Sequence, residues 1–457
     1  MVARGFVQLH CDTCGHDVVV GLSCKGRGFC SRCGGRRMTE TALHLTDHVI
    51  PRVRVRQWVL TVPHRYRYRI GYDHALCKRF LRALNRELRT YYRNKSGQPD
   101  GQTGSVTFIQ RFNGELALSP HYHVIAIDGV FVEDAEHGLR FIEASEPSKL
   151  DVAEVLSAVH ARIHGVLRRL GLEEPDEDSD PLASDSPALA ACYSGSITRR
   201  TALGPNAGQA VVKLGALPNM PWVEIDKPRH AHYEGFDLHA DVAFAADNRQ
   251  GLEQLLRYGA RPAIASGRLA LTEDGRVSLE LKRRYHDGTT HILFQPTTFI
   301  ERLAALVPRP QKNLTIYSGV LAPNAKLRSK VVAFGAPAEL PQPPAVTAPE
   351  PASAEPTQLP LAAATEPPVG GVQPAANDNT PKPERKRRRP NYTWAELMRH
   401  SFEIDVLECQ RCGGRLRMLA AVTKPAAVRA ALAKLGMPTE APKLRPARPP
   451  PEQFESA

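Results

Sequence analysis

Alternating apolar and polar positions predict two neighbouring β-strands near the middle of the first half of the chain. Residues 105–112 alternate in this way and end at Asn113-Gly114, a dipeptide typical of hairpin turns. Residues 118–131 follow with Val, Ile and Phe, which favour strands. We expect the two to pair antiparallel, and Pro120 leaves their register open.

A third predicted strand precedes them and carries a row of arginines. Arg52, Arg54 and Arg56 alternate with valines before the apolar run 58–62. One charged face is typical of a strand at the edge of a sheet, so we expect an edge strand here.

A period of three to four residues predicts helices at four places. Apolar positions recur with this spacing in residues 75–88, 150–170, 249–258 and 296–306. The first of these helices has a basic opposite face, and arginines interleave with tyrosines just before it at 65–72. Basic side chains among aromatic rings suit single-stranded nucleic acid, although a solvated helix face is an equally good interpretation.

The remaining pattern predicts further domains. The expected organisation is a zinc ribbon at 1–45, a catalytic domain at 50–335, a Pro- and Ala-rich disordered linker at 336–390, a small module at 391–425 and a disordered tail at 426–457. Within the catalytic domain, residues 171–208 are acidic and irregular, which predicts a solvated loop insertion.

The composition favours an intracellular partner of nucleic acid. The 457 residues have 60 Lys and Arg against 48 Asp and Glu, and this net charge of +12 favours a polyanionic partner. We find neither a secretory signal at the first residues nor an apolar run of membrane-spanning length. We therefore expect a cytoplasmic protein with no membrane partner.

Cysteine spacing gives the most specific chemical signal. Cys11 and Cys14 form one Cys-x-x-Cys pair, and Cys30 and Cys33 form another after fifteen intervening residues. Two such pairs predict four thiolates around one structural Zn²⁺. A third pair, Cys409 and Cys412, stands alone near the end of the chain, where it predicts either half a zinc site or a turn with free thiols.

Two histidines predict a second kind of metal site. His121 and His123 lie two apart on a predicted strand, so their side chains project to the same face with Ile125 and Ile127. Two imidazoles so placed can hold one divalent ion, and they can equally be packed core histidines.

A tyrosine near a helix end is a candidate nucleophile. Tyr258 lies between Arg257 and Arg261, where Gly259 and Pro262 oppose continuation of the helix. Cations beside a tyrosine favour the phenolate and bind phosphate oxygens, so we expect Arg257 and Arg261, together with Arg111, to contact DNA. A structural tyrosine is the alternative.

These motifs, taken in order, resemble the rolling-circle transposases typified by insertion sequence ninety-one. The resemblance rests on the cysteine pairs, on His121-Tyr122-His123 and on Tyr258 before Arg261-Pro262. Further matching segments are 108–112, 128–131, 286–291, 319–323 and 409–414. The acidic stretch and the linker lie outside it.

The resemblance implies an α+β fold of the HUH nuclease type, named for its His-hydrophobic-His motif. It implies a central antiparallel sheet bearing both histidines, flanking helices, one of which bears the tyrosine, and cleavage of single-stranded DNA through a 5′-phosphotyrosine. It also implies that the histidines hold Mg²⁺ or Mn²⁺ and that the substrate is the hairpin-forming ends of the element. It leaves open whether the protein is a homo-oligomer.

Two details qualify the resemblance. Some members carry a second tyrosine four residues before the first, but Gln254 occupies that position, so we expect the single-tyrosine branch. A third ligand must join His121 and His123: Gln110 on the neighbouring strand is the first choice, and Glu253 and His64 follow.

Two other functions fit parts of the pattern. A plasmid replication initiator or relaxase shares the chemistry, but the zinc ribbon argues against it. A noncatalytic zinc-ribbon DNA-binding protein keeps the basic surface and does not need His121, His123 or Tyr258.

Overall fold

A computed structural model describes most of the chain. The described residues are 5–22, 31–172, 180–216, 228–264, 267–285, 287–308, 312–335, 392–402, 405–434 and 436–439. The described residues in 1–335 and 392–457 belong to one compact unit. The predicted linker at 336–390 lies outside the described residues.

Strands account for much of the described chain. In chain order they are β1 (Phe6–Cys11), β2 (Asp17–Gly21), β3 (Val55–Thr61), β4 (Gly104–Phe112), β5 (Leu118–Ile127), β6 (Gly129–Asp134), β7 (Gly138–Glu143), β8 (Val212–Leu214), β9 (His230–Tyr233), β10 (Phe236–His239), β11 (Ala243–Phe244), β12 (Leu269–Leu271), β13 (Val277–Glu280), β14 (His291–Phe294), β15 (Thr315–Gly319) and β16 (Leu416–Val422).

Helices lie between and around these strands. In chain order they are α1 (Ser31–His48), α2 (His64–Tyr72), α3 (His74–Lys95), α4 (Lys149–Arg169), α5 (Pro181–Asp185), α6 (Pro187–Thr198), α7 (Arg249–Ala260), α8 (Pro296–Leu306), α9 (Arg328–Ala333), α10 (Trp394–Phe402) and α11 (Pro425–Lys434). The helices predicted from periodicity correspond to α3, α4, α7 and α8.

A central antiparallel sheet organises the unit, as predicted. Its strand order is β15-β4-β5-β3-β10-β9, with β11 also pairing with β3. One face packs on α3 and α4 through a core that includes Trp58 and Tyr122. The other face packs on α1 and α7 through Ile125, Ile127 and the leucines of α7. The mixed α+β class with antiparallel sheets is therefore confirmed.

The helix ends follow ordinary capping rules. The side chain of Asp73 accepts a hydrogen bond from the Leu76 amide at the start of α3, and Ser148 forms a capping box with Asp151 at the start of α4. Asn248 caps α7 by accepting from the Gly251 amide. These caps fix where each helix begins relative to the sheet.

The prediction that the arginine-bearing strand is an edge strand is wrong. β3 lies between β5 on one side and β10 and β11 on the other. Arg56 is 1% exposed, and its guanidinium donates to both carboxylate oxygens of the buried Asp128 at 2.9–3.1 Å. Because the opposite charge and the hydrogen bonds satisfy the cation, an interior strand can carry it.

The acidic stretch at 171–208 is only partly a loop. Residues 173–179 lie outside the described residues, but α5 and α6 follow them. Tyr193 and Ile197 of α6 are buried against α8 and the second sheet, which has the strand order β12-β13-β14-β8. Because acidic residues precede α6, the sequence pattern did not indicate that this helix has an apolar face.

The tyrosines of α2 do not form the stacking surface that the sequence suggested. Tyr66 is buried, and the Tyr68 and Tyr72 rings pack against each other with their centroids 5.4 Å apart. Arg79, Arg82, Arg86 and Arg89 of α3 are exposed, so the basic half of that prediction agrees with the structure.

The two ends of the chain form one small sheet rather than separate modules. β1 pairs with β2 on one side and with β16 on the other. The residues predicted as a disordered tail from 426 begin with α11, whose Val428 and Leu432 are buried against Phe6. No helix in the described residues has the length and apolar composition needed to cross a membrane.

Candidate active site and metal centres

Strand register brings the predicted metal ligands together. In the β4–β5 pair, Gln110 lies opposite His121 and Phe108 lies opposite His123. Directly paired residues point to the same face of a sheet, and this face is the one that packs on α7. The ring centroids of His121 and His123 are 4.9 Å apart.

Hydrogen bonds orient both imidazoles through Nδ1. His121 Nδ1 lies 2.7 Å from the carbonyl oxygen of Ser119 and therefore carries the proton, which leaves a lone pair on Nε2. His123 Nδ1 lies 3.0 Å from the side-chain nitrogen of Gln57, which donates to it in this orientation of the amide. With the amide oxygen of Gln57 turned toward the ring, His123 would also donate from Nδ1 and carry a lone pair on Nε2.

The surroundings keep both rings neutral. Burial lowers the pKa of His121 to about 4, and the nearby positive charges of Arg261 and Arg67 act in the same direction. Burial also holds the pKa of His123 well below its ordinary value, and His121 and Arg261 contribute to this shift. A neutral imidazole is the form that binds a metal ion.

Gln110 supplies an oxygen next to the histidines. Its amide nitrogen donates to the carbonyl oxygens of Tyr258 and Gly259, both at 2.9 Å. Its Oε1 is buried and has no hydrogen-bond partner among the described residues, and the same holds for His123 Nε2. Unpaired buried polar atoms are costly, so a ligand that satisfies both fits this donor set.

The other two candidate ligands do not join this group. Glu253 forms an ion pair with Arg257 at 2.8 Å. His64 at the start of α2 has a backbone hydrogen bond with Ile197 instead. Within the described ranges, no group of three or more histidine, cysteine or acidic side chains that could hold one ion includes His121 and His123.

Tyr258 lies against His123. The two ring centroids are 5.5 Å apart and their planes are nearly perpendicular. The tyrosine is 40% exposed, so solvent and a substrate can reach it. Gln110 holds Tyr258 there by a hydrogen bond to the last turn of α7. Gly259 allows the helix to come this close to β4, because an added Cβ would lie within 2.4 Å of the Phe108 ring.

Positive charges surround the tyrosine, but they are not all the predicted ones. The guanidinium of Arg261 lies 4.5 Å from the Tyr258 ring centroid, and the ammonium of Lys282 lies 5.4 Å from it. Arg261 Nε is buried and is unpaired within the part of the chain that the structure describes. Arg261 is thus the predicted arginine that remains available for a phosphate.

The other two predicted DNA contacts need correction. Arg111 is buried, and it donates to the carbonyl oxygens of Gly71, Ala305 and Leu306 and to the Tyr193 hydroxyl. Arg257 pairs with Glu253 and donates to the carbonyl oxygen of His400 at 3.0 Å. Both guanidinium groups hold the fold together in this structure, because protein acceptors occupy their donors.

A basic cavity of about 480 Å³ adjoins the site. Its wall includes Gln110 and Arg261 on one side and Arg37 and Lys312 on others. Arg37 comes from α1, and Lys312 precedes β15. The cavity therefore has room and charge for an anionic ligand next to the histidines.

Four cysteines form a second centre, with a membership that differs from the predicted one. Cys11 and Cys14 meet Cys409 and Cys412, and their four sulfur atoms lie within 4.8 Å of one another. Cys33 is in the first turn of α1, and Cys30 lies outside the described residues. Four thiolates complete a tetrahedral shell, so among the described residues Cys11 and Cys14 have Cys409 and Cys412 as partners instead of the predicted Cys33.

Backbone hydrogen bonds in this centre favour the thiolate form of Cys11, whereas hydrogen bonds from the neighbouring sulfurs raise the pKa of Cys14 and of Cys412. Burial acts to raise the pKa of the Cys11 thiol, but hydrogen bonds from the backbone of Cys14 and Thr13 and from Cys412 lower it to about 6. Hydrogen bonds that favour the charged form prepare a sulfur for metal binding. The donor set of four thiols fits structural zinc.

Sequence reasoning missed three features of these sites. Gln57 and Lys282 lie far from the histidines and the tyrosine along the chain, and no motif marks either one. The pairing of the first and last cysteine pairs had no distinguishing signal, because Cys-x-x-Cys-Gly occurs at 11–15, at 30–34 and at 409–413 alike.

Two models of known protein families match parts of the chain. The family model Y2_Tnp, described as "Putative transposase", matches residues 104–329, which include the histidines and Tyr258. The model Zn_Tnp_IS91, described as "Transposase zinc-binding domain", matches residues 2–62. No curated protein and no solved structure matches the chain. Since the two models together cover more than half of the sequence, the chain belongs to the IS91-type transposases.

Proposed function

We propose that this transposase cleaves and rejoins single-stranded DNA at hairpin-forming ends of its element, in rolling-circle-type transposition. The observation that carries the proposal is the position of Tyr258, which lies edge-on to His123 beside the unpaired Oε1 of Gln110. The closeness of the candidate nucleophile, the candidate metal ligands and the buried, unpaired Nε of Arg261 supports this proposal.

In the proposed reaction, the Tyr258 hydroxyl attacks the scissile phosphorus. The new bond joins the tyrosine oxygen to phosphorus, and the bond from phosphorus to the 3′-oxygen breaks. The phenol loses its proton, and the departing oxygen gains one to become a 3′-OH. The 5′-phosphotyrosine that results keeps the bond energy, so a later 3′-OH can displace the tyrosine and rejoin the strand.

His121, His123 and Gln110 would hold the divalent ion, and the lone pairs described above support this role. Such an ion, Mg²⁺ or Mn²⁺, would act as a Lewis acid on the phosphate. Gln57 and the Ser119 carbonyl orient the two imidazoles, as outer partners of metal ligands commonly do.

Arg261 and Lys282 would bind the phosphate oxygens. Both cations lie over the face of Tyr258, so a phosphate placed for attack would meet positive charge on that side. The exposed arginines of α3 and the basic cavity supply further charge for the DNA backbone. The position four residues before Tyr258 is Gln254, so we propose one nucleophile per chain.

Cleavage of oligonucleotides tests the proposal. Labelled single strands that tile the DNA on both sides of the gene are incubated with the protein and Mn²⁺. We expect site-specific nicking that chelator abolishes and that His123→Ala lowers at least about 100-fold, because the polarising ion contributes several kcal/mol. His137→Ala, which alters an exposed histidine in the β6–β7 turn, is the matched control and should nick normally.

Undiminished nicking by His123→Ala would remove the metal site from the mechanism. DNA binding by the wild-type protein without any nicking, across all tiled strands, would instead favour the noncatalytic DNA-binding alternative.

A further inference from the structure

We infer that the zinc centre is bipartite and fastens the C-terminal segment 392–439 to the N-terminal strands. The zinc-binding family model matches residues 2–62, which contain Cys11, Cys14, Cys30 and Cys33 but neither Cys409 nor Cys412. The segment follows residues 336–391, which lie outside the described residues. The zinc ion therefore joins two parts of the protein that the sequence keeps far apart.

Sulfur geometry supports a single ion among the four thiols. Four sulfurs at about 2.3 Å from a tetrahedral ion lie about 3.8 Å from one another. In the structure the Cys11 and Cys412 sulfurs are 3.5 Å apart, and the Cys14 and Cys409 sulfurs are 3.7 Å apart. The sulfurs are too far apart for disulfide bonds and close to the spacing that zinc imposes.

The two cysteine pairs fold into the same turn. Gly15 donates its amide hydrogen to the Cys11 carbonyl at 2.9 Å, and Gly413 donates to the Cys409 carbonyl at 2.8 Å. Both glycines have a positive φ, +69° and +71°, which favours glycine at each place. Two matching turns that face each other supply two thiols each, so neither pair has to be completed by another cysteine.

The apolar core around the thiols is small. It contains Leu9 and Leu416 beside Cys11 and Cys409, with a few partly buried neighbours. A three-stranded sheet with so little core depends on an additional cross-link, and zinc provides one. Arg417 of β16 and Asp12 also pair across the two segments at 3.2 Å, but this pair is exposed and contributes little.

The fastened segment reaches the nucleophile-bearing helix. α10 packs on α1, and the carbonyl oxygen of His400 accepts a hydrogen bond from Arg257, the residue before Tyr258. Tyr392 donates its hydroxyl hydrogen to Asp47 at the end of α1. Zinc binding thus fixes the position of α10, which packs on α1 and accepts a hydrogen bond from α7.

A cleavable full-length protein tests the inference without reference to DNA cleavage. A protease recognition site is inserted between residues 336 and 391, and the chain is cut there after purification. We expect the C-terminal fragment to stay bound through gel filtration and to separate when a zinc chelator is added. If the fragment stays bound in chelator, or if it separates before chelator is added, the inference is overturned.

Paired cysteine variants identify the ligands. The double variant Cys409→Ser with Cys412→Ser should lose about one zinc per chain and release the fragment after cutting. The matched variant, Cys30→Ser with Cys33→Ser, should keep the fragment bound. The opposite pattern would restore the pairing of Cys11 and Cys14 with Cys30 and Cys33 and would refute the bipartite site. Circular dichroism of the remaining chain shows whether each variant still folds.

Discussion

Individual polar atoms explain why the site can bind an ion. His123 Nε2 and Gln110 Oε1 are buried, and neither has a partner among the residues described here. Such an atom costs the folded state about 1–3 kcal/mol. Two such atoms on one face of the sheet therefore fit the role of metal ligands better than that of side chains that only pack.

The depressed pKa of His121 gives a prediction for the metal-free protein. We expect its imidazole to titrate near 4 rather than near 6.5, because burial and nearby arginines oppose the charged form. The unfolded chain then binds this proton more readily than the folded one. Its contribution to stability is complete above about pH 6.5 and is lost as the pH falls toward 4.

Nuclear magnetic resonance of the ring protons measures this titration directly. Denaturant unfolding of wild type and His121→Asn over the same pH range measures the linked stability, and the variant should show the weaker loss below pH 6.5. An ordinary His121 titration near 6.5 would contradict the buried environment.

Two arginines that flank the tyrosine should behave differently. Arg261 has a buried, unpaired Nε beside the nucleophile, so Arg261→Ala should lower DNA cleavage by about 100-fold. Arg257 already has protein partners, and Arg257→Ala should leave the cleavage rate within a few-fold of wild type. Single-turnover cleavage rates make the comparison, and equal losses in both variants would contradict it.

At the scale of elements, the close approach of α7 to β4 sets the position of the nucleophile. Gly259→Ala would place a methyl group within 2.4 Å of the Phe108 ring, and Phe108 is the strand partner of His123. We expect the variant to lose about 1–3 kcal/mol of stability through overpacking. We also expect slower cleavage at temperatures where the variant is folded, because the helix must move away from the sheet.

A compensating substitution serves as the control for this prediction. Gly259→Ala combined with Phe108→Leu removes the ring that the new methyl group meets, and should recover part of both losses. Thermal melts and cleavage rates of the single and double variants would show it. A single variant as stable and as active as wild type would mean that the helix tolerates a wider separation.

Local pattern predicted three strands of the central sheet, β3, β4 and β5, and several of the helices around it. Periodicity found α3, α4, α7 and α8, and alternation found β4 and β5, because each of these has one clearly apolar face. It misplaced β3 at the sheet edge, because Arg56 pairs with Asp128 between β5 and β6, and it missed α6, which follows an acidic stretch. Both failures depend on contacts between residues distant in sequence.

At the scale of the whole molecule, the same limit explains the zinc centre. The sequence named Cys11 and Cys14 as zinc ligands, and proximity along the chain suggested Cys30 and Cys33 as their partners. The structure instead closes the fold through β1 and β16, which bring Cys409 and Cys412 to the site. Rules based on cysteine spacing apply to local motifs, and they do not show which of several distant cysteine pairs bind the same ion.

The candidate active site shows the complementary case. His121, His123, Gln110 and Tyr258 were all named from sequence, and the structure brings all four together. Strand pairing and helix ends are local enough to predict them. Gln57 and Lys282 were not predictable, because their roles arise only once separate elements pack together.

The covalent adduct is the most direct test of the central claim. Single-stranded substrate labelled at its 3′ end is incubated with protein and Mn²⁺, denatured in SDS, and the labelled peptide is identified by mass spectrometry. We predict a stable adduct on Tyr258, none with Tyr258→Phe, and a normal adduct with Tyr233→Phe, which alters another exposed tyrosine. An adduct that persists in folded Tyr258→Phe, or that forms only with label at the 5′ end, would contradict the account.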